Sequence, residues 1–209
     1  MTTPVESKAD HNSEVQARLF KTAKAWETWL AKNGAKSHGV WLQIAKKGSS
    51  LKSVTIAEAL DAALCYGWID GQRKVNDADT YLQRYTPRTS RSTWSQINRD
   101  KVTALIGSGR MRAAGLAEIE RAKGDGRWDA AYEPASRATV PEDLAAALEA
   151  NPQAGEFFST LKGTNRYAVL FRIQGAKRAE TRARRIAHFV AMLEKRETVY
   201  PVTKKSNTT

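Results

Sequence analysis

Trp68-Ile69-Asp70-Gly71-Gln72-Arg73-Lys74-Val75-Asn76-Asp77-Ala78-Asp79-Thr80-Tyr81-Leu82-Gln83-Arg84-Tyr85-Thr86-Pro87 is the stretch whose reading sets the fold class. Trp68 to Val75 and Thr80 to Thr86 read as two strands, with Asn76 to Asp79 supplying the turn chemistry between them. Alternation puts Tyr81, Gln83 and Tyr85 on one face and Leu82 and Arg84 on the other. Upstream, Val40 to Ala45 alternates in the same way, with Val40, Leu42 and Ile44 on one side. Thr55-Ile56-Ala57-Glu58 is a capping box, and the helix behind it places Ile56, Ala59, Leu60, Ala63 and Leu64 on one face before stopping at Gly67. An earlier helix begins near Thr22, carries Trp26, Trp29 and Leu30 at i, i+3, i+4, and stops at Asn33-Gly34. These segments predict a small antiparallel sheet with helices packed on one face.

Pro87 ends that regime. Beyond it the period is helical: Val102, Leu105 and Ile106 form one stripe, and Leu116 and Ile119 another. Pro141-Glu142-Asp143 marks a helix start with acids at the positive end of the dipole. Leu144, Ala147 and Leu148 follow, then Phe157, Phe158 and Leu161, then Val169, Leu170 and Ile173, then Ile186, Phe189, Val190 and Leu193. The expected fold is α+β, with a flexible tail over 1–14, an α+β part over 15–90, a helical part over 91–197 packed on it, and a polar tail over 198–209.

With 41% hydrophobic residues in a chain of 209, the composition is that of a folded protein. No apolar run approaches the ~20 residues of a membrane span, and Met1 to Glu14 lacks the apolar centre of a secretory signal. Cys65 stands alone, so an internal disulfide and a cysteine metal cluster are both excluded, and a reducing cytoplasm is the expected location. Metalloprotease, Walker, dinucleotide-fold and nucleophile-elbow patterns are missing, so no cofactor, metal or catalytic residue is expected. Oligomeric state is not readable.

Charge is the most informative composition. The net +12 divides into +2 over residues 1–83, +6 over 84–112, −5 over 113–156 and +9 over 157–209. Before Arg73 there are eight lysines and one arginine, Arg18; from Arg73 onward there are seventeen arginines and eight lysines. Arginine's planar fork grips carboxylate or phosphate with two bonds, so the later part of the chain is better equipped for anions.

The +6 segment and its flanks hold the candidate binding residues: Trp68, Asp70, Arg73, Arg84, Arg88, Arg91, Ser92, Trp94, Ser95 and Asn98. Pro87 forces an extended approach into a loop dense in arginine and hydroxyls, and that loop opens a helix. These are the parts of a phosphate pocket. In the competing reading the serines cap the helix, Trp94 is core and the arginines pair with nearby acids. Asp70 is expected either to ion-pair with Arg73, Arg84 or Arg88, to accept a ligand's hydrogen bond, or to act as a base. Farther on, Ala179, Ala183, Ile186, Val190 and Leu193 read as the inner face of a helix. Arg178, Arg182 and Arg185 form a neighbouring basic stripe, either solvated or tracking a nucleic-acid backbone. A helix-turn-helix, a zinc finger and an aromatic-rich single-strand motif are all missing. Three functions remain open: binding of an anionic ligand or nucleic-acid backbone, small-molecule catalysis with Asp70 and an arginine clamp, or docking to another protein.

Leu64-Cys65-Tyr66-Gly67-Trp68-Ile69-Asp70-Gly71 resembles the "ALxxGWID" signature of the YdeI/OmpD-associated, or bacteriocin-protection, family. The resemblance continues through Pro87-Arg88, Ser92 to Asn98, Gly109-Arg110-Met111, Gly115-Leu116 and Gly126-Arg127-Trp128. Asn165-Arg166-Tyr167 and Lys177 to Ile186 extend it, so that it spans about Phe20 to Pro201. Ala113 departs from the proline of many relatives. The resemblance implies a cytosolic bacterial protein linked to protection against bacteriocins or antimicrobial peptides, and it carries over no catalytic residue.

Overall fold

The chain enters its sheet through a strand too short to leave a periodic trace. In the computed structural model, which describes residues 17–201, β1 is Ala17–Leu19, three residues that are all exposed. α1 (Ala23–Asn33) follows, capped by Thr22, whose hydroxyl accepts the Ala25 N–H at 3.2 Å, and closed by Gly34. β2 (Val40–Ala45) alternates buried and half-buried positions, as its sequence predicts. α2 (Ile56–Cys65) is held by the expected capping box. Glu58 N–H donates to Thr55 Oγ1 at 3.3 Å, and Thr55 N–H donates to Glu58 Oε2 at 2.9 Å. Those bonds hold the Glu58 carboxyl below its ordinary pKa. β3 (Trp68–Val75) and β4 (Thr80–Pro87) form the hairpin, its turn tied by Asp77 Oδ1 accepting the N–H groups of Asp79 and Thr80.

The sheet order is β1-β2-β4-β3. β2 and β3 both pair antiparallel to β4, but β1 runs parallel to β2. The sheet is therefore mixed, which corrects the antiparallel expectation. α1 is the crossover that a parallel pair requires.

Four rings, Trp26, Trp29, Trp68 and Tyr85, dominate the core against this sheet. Trp26 and Trp29 stack with centroids 5.3 Å apart, and Trp68 and Tyr85 close on Trp26 at 6.3 and 5.7 Å. Buried Trp26 donates its indole N–H to Ala59 O at 3.0 Å, so the polar edge of the ring is satisfied inside the core. Behind the hairpin come α3 (Gln96–Gly107) and α4 (Ala113–Gly124). α4 packs on the end of α2 at Gly115, where a Cβ would stand 2.3 Å from Cys65 O. Only glycine fits that approach. Cys65 itself is buried, and desolvation raises its thiol pKa.

Four more helices complete the chain: α5 (Glu142–Glu149), α6 (Pro152–Thr160), α7 (Gly163–Gln174) and α8 (Ala179–Glu194). Their core is Leu144, Leu148, Phe158, Val169, Leu170, Ile173, Ile186, Phe189 and Leu193 with their small neighbours. Contacts group residues 17–93 and 98–129 into one compact unit, and 94–97 and 130–201 into a second. The grouping does not follow the change of period at Pro87, because α4 and most of α3 cluster with the sheet. The expected tails fall partly outside the description: residues 1–14 entirely, and 202–209 of the polar tail.

Candidate anion-binding surface

The hairpin carries three cations seated on aromatic rings. Register pairs Arg84 with Trp41 and Lys74 with Leu82, on the face opposite Val40, Leu42 and Ile44. On that outer face Lys74 Nζ lies 4.6 Å and Arg84 Cζ 5.8 Å from the Trp41 ring centroid. Arg73 goes the other way. A register irregularity between Asp70 and Arg73 sets Arg73 beside Gln83 on the core-facing side, where its Cζ sits 4.5 Å over Tyr81. Arg73 Nε donates to Gln83 Oε1 at 3.0 Å, and Gln83 Nε2 donates back to Gly71 O at 2.9 Å, so buried Gln83 stitches the irregular segment. Among the described residues, no carboxylate lies within 4.0 Å of Arg73, Lys74 or Arg84. A cation on a ring face gains about 0.5–1 kcal/mol at an exposed site and keeps its charge for other anions.

Asp70 makes none of the expected ion pairs within that distance. The irregular segment carries Arg73 to Gln83, Arg84 faces the opposite side, and Arg88 is directed elsewhere. Asp70 is exposed as a residue, yet neighbouring protein desolvates its carboxyl and raises its pKa, against the opposing charges of Arg88 and Arg73. It does not line the nearby cavity of about 270 Å³, which is bounded by Tyr66, Trp68, Arg88, Glu118 and Arg121. The arrangement of a base at the floor of a closed pocket is not formed there.

The arginine loop is built inward. Arg88 is 5% exposed and donates from Nη1 to Thr93 O at 3.0 Å. Arg127, 7% exposed, reaches back across the loop from Nη1 to Thr89 O at 3.2 Å and Ser92 O at 3.1 Å. The same guanidinium meets Glu118 Oε1 at 3.0 Å and Asp125 Oδ2 at 2.8 Å. Arg121 bonds the other Glu118 oxygen and also donates to Arg88 O at 3.2 Å. Ser92 Oγ accepts the Thr89 N–H at 2.9 Å, closing its own turn. Arg91 alone among the loop arginines is exposed.

The remaining loop candidates divide between the units, Trp94 and Ser95 in the second and Asn98 in the first. Trp94 and Ser95 are buried, and Asn98, on the first-unit part of α3, is half-buried. The Gln96 N–H, which opens α3, already donates to Tyr132 O at 3.0 Å, and Tyr132 N–H donates to Trp94 O at 3.0 Å. That end of α3 is therefore partly occupied by its own chain, unlike the open helix end of the phosphate-pocket reading. The ten candidates thus separate: Trp68 and Arg88 meet at the small cavity, Arg73 and Arg84 sit on opposite sheet faces, and Arg91 stands on the loop.

The basic stripe on α8 is mostly committed. Arg182 donates to both Asp143 oxygens, at 2.5 and 2.8 Å, and to Ile173 O at 3.1 Å. That fork holds the Asp143 carboxyl below its ordinary pKa. Arg185 Nη1 donates to Arg172 O. Arg178, at the N-cap, is exposed. The inner face also differs from the expectation. Ile186, Phe189 and Leu193 are buried while Ala179 and Ala183 are exposed.

This helical region is also where a known family appears. Residues 137–196 match the family described as "Bacteriocin-protection, YdeI or OmpD-Associated". That stretch is similar to the YdeI/OmpD-associated family over less than a third of the chain. The Asn165-Arg166-Tyr167 and Lys177 to Ile186 motifs lie inside it. The Gly-Trp-Ile-Asp stretch lies instead within residues 18–118, which match a domain of unknown function (DUF8412). No curated protein and no solved structure matches the chain. Within the matched residues, Arg182 ties α8 to α5 and α7, and Arg185 ties α8 to α7. Sequence reasoning missed Glu118, Arg121 and Arg127, the residues that fix the arginine loop. Gly126-Arg127-Trp128 was visible as a motif, but three of Arg127's four partners, Glu118, Ser92 and Thr89, lie 9 to 38 positions away. No helix among the described residues is long and apolar enough to cross a membrane.

Proposed function

We propose that this chain is a non-enzymatic binding protein that works in the cytoplasm, holds a phosphate-bearing partner on its β3–β4 hairpin, and thereby contributes to protection against bacteriocins. One observation carries the reading: Arg73, Lys74 and Arg84 rest on Tyr81 and Trp41, not on carboxylates. Other arginines of the chain have acidic partners. Arg110 pairs with Glu27, Arg121 with Glu118, Arg127 with Asp125 and Arg182 with Asp143. The hairpin cations keep their charge in a protein of net charge +12, and exposed Arg91 adds a fourth nearby in sequence. Such a surface raises the local concentration of anions and speeds their encounter. A polyanion with spaced charges, such as a nucleic-acid backbone, fits cations on the two faces of a hairpin whose β3 is the sheet edge better than a single small phosphate does. The family name supports the link to protection, and the partner supplies the route.

The test is fluorescence anisotropy of a labelled single-stranded oligonucleotide at low salt. The wild-type protein binds, and the triple substitution Arg73→Ala, Lys74→Ala, Arg84→Ala weakens binding by at least tenfold. Absence of low-salt binding, or equal binding by the triple variant, rejects the proposal.

A further inference from the structure

A second feature belongs to the helical unit of residues 94–97 and 130–201. A cavity of about 230 Å³ is lined by Thr164, Tyr167, Ala168, Phe171, Arg172 and Tyr200. Tyr167 and Phe171 are one turn apart on α7, their centroids 5.7 Å from each other, and Phe171 meets the edge of Tyr132 at 5.0 Å and 86°. Each wall is fixed. The Tyr167 hydroxyl donates to Glu133 O at 2.7 Å, and desolvation raises its pKa, so that ring stays neutral. Tyr200 is 45% exposed, yet its backbone is clamped: Asn165 Nδ2 donates to Tyr200 O at 3.1 Å, Tyr200 N–H donates to Asn165 Oδ1 at 2.9 Å, and Thr198 Oγ1 donates to Tyr200 O at 2.9 Å. The motif residue Asn165 thus anchors the backbone that carries this exposed ring.

Arg172 supplies the chemistry. Its Cζ lies 5.4 Å from the Tyr200 ring, and its Nη1 is buried without a hydrogen-bond partner among the described residues. Only its backbone is used, accepting Arg185 Nη1. Arg172 lines the cavity, and no carboxylate among the described residues lies within 4.0 Å of it, so its charge is available to an anion there. Three rings select a flat apolar body, and a planar guanidinium matches a carboxylate. The cavity is smaller than the roughly 300 Å³ at which drug-sized pockets begin, which favours one ring over a nucleotide.

We propose that this pocket binds a small single-ring aromatic carboxylate, its ring against Tyr167, Phe171 and Tyr200 and its carboxylate on Arg172. The probe is benzoate, with benzyl alcohol and acetate as ring-only and carboxylate-only controls. Binding to the full chain is followed by calorimetry and by saturation-transfer NMR. Benzoate is expected to bind at least roughly tenfold more tightly than either control. Arg172→Gln is expected to remove that preference over benzyl alcohol, and Tyr200→Ala, at an exposed position that does not threaten folding, to weaken benzoate several-fold. No benzoate binding at millimolar concentration, equal affinity for benzoate and benzyl alcohol, or unchanged affinity in Tyr200→Ala would each overturn the proposal. None of these outcomes bears on the hairpin, which lies in the other unit.

Discussion

Replacing Arg127 by methionine keeps most of the side chain's volume and removes its charge. Arg127 is 7% exposed and serves four partners at once: Glu118, Asp125, Thr89 O and Ser92 O. Breaking a buried ion pair by deleting one member typically costs about 3–5 kcal/mol, because the other charge is left in a dry site. Glu118 keeps Arg121, whose side chain is 50% exposed and therefore stabilises the pair only weakly. Asp125, 38% exposed, regains water. The loss should fall near the lower end, about 3 kcal/mol, or on the order of 10 °C in Tm for a unit of this size. Five of the six tryptophans, Trp26, Trp29, Trp41, Trp68 and Trp128, lie in the same unit, so urea unfolding followed by tryptophan fluorescence reports on it directly. Arg127→Lys should recover little, since an ammonium cannot span both carboxylates and both carbonyls. A loss below about 1 kcal/mol for Arg127→Met would refute the view that this guanidinium holds the 89–92 loop.

Three further outcomes follow from single contacts. Gly115→Ala gains helix propensity but drives a methyl into Cys65 O at 2.3 Å; a net destabilisation of about 1–3 kcal/mol is expected in urea melts. Tyr85→Phe removes a buried hydroxyl that has no partner among the described residues; stability should stay level or rise by about 1 kcal/mol, and a clear loss would mean the hydroxyl is bonded. The Asp143 pKa is depressed by Arg182, so its contribution is fully present above the ordinary aspartate range and is lost as pH falls through the lowered folded value. Asp143→Asn should therefore be less stable than wild type at neutral pH and converge with it in acid, which circular dichroism melts across pH 2–7 would show.

The hairpin, β2 and the Thr55 capping box were legible because each is specified by neighbours within a few positions. β1 was not, since three exposed residues carry no alternation and the parallel pairing depends on where α1 returns the chain. The arginines near Pro87 were correctly placed on a strand and a loop, but their directions were not readable. Arg88 is buried because Arg121 and Arg127 arrive from α4 and the turn after it, and Arg73 departs from Asp70 because the register breaks at Gly71 and Gln72. Alanine explains the error on α8: Ala179 and Ala183 suit either face of a helix, while Ile186, Phe189 and Leu193 suit only one. Arg182 looked like a free cation because its partner, Asp143, stands 39 positions upstream.

The central claim, that the hairpin cations serve an anionic partner, is tested most directly by the salt dependence of oligonucleotide binding. Three phosphates neutralised on a single strand give a slope of about −2 in log K against log salt. The account predicts a slope at least that steep for the wild-type protein and one shallower by about 2 for the triple alanine variant of residues 73, 74 and 84. An identical slope in both proteins would contradict it.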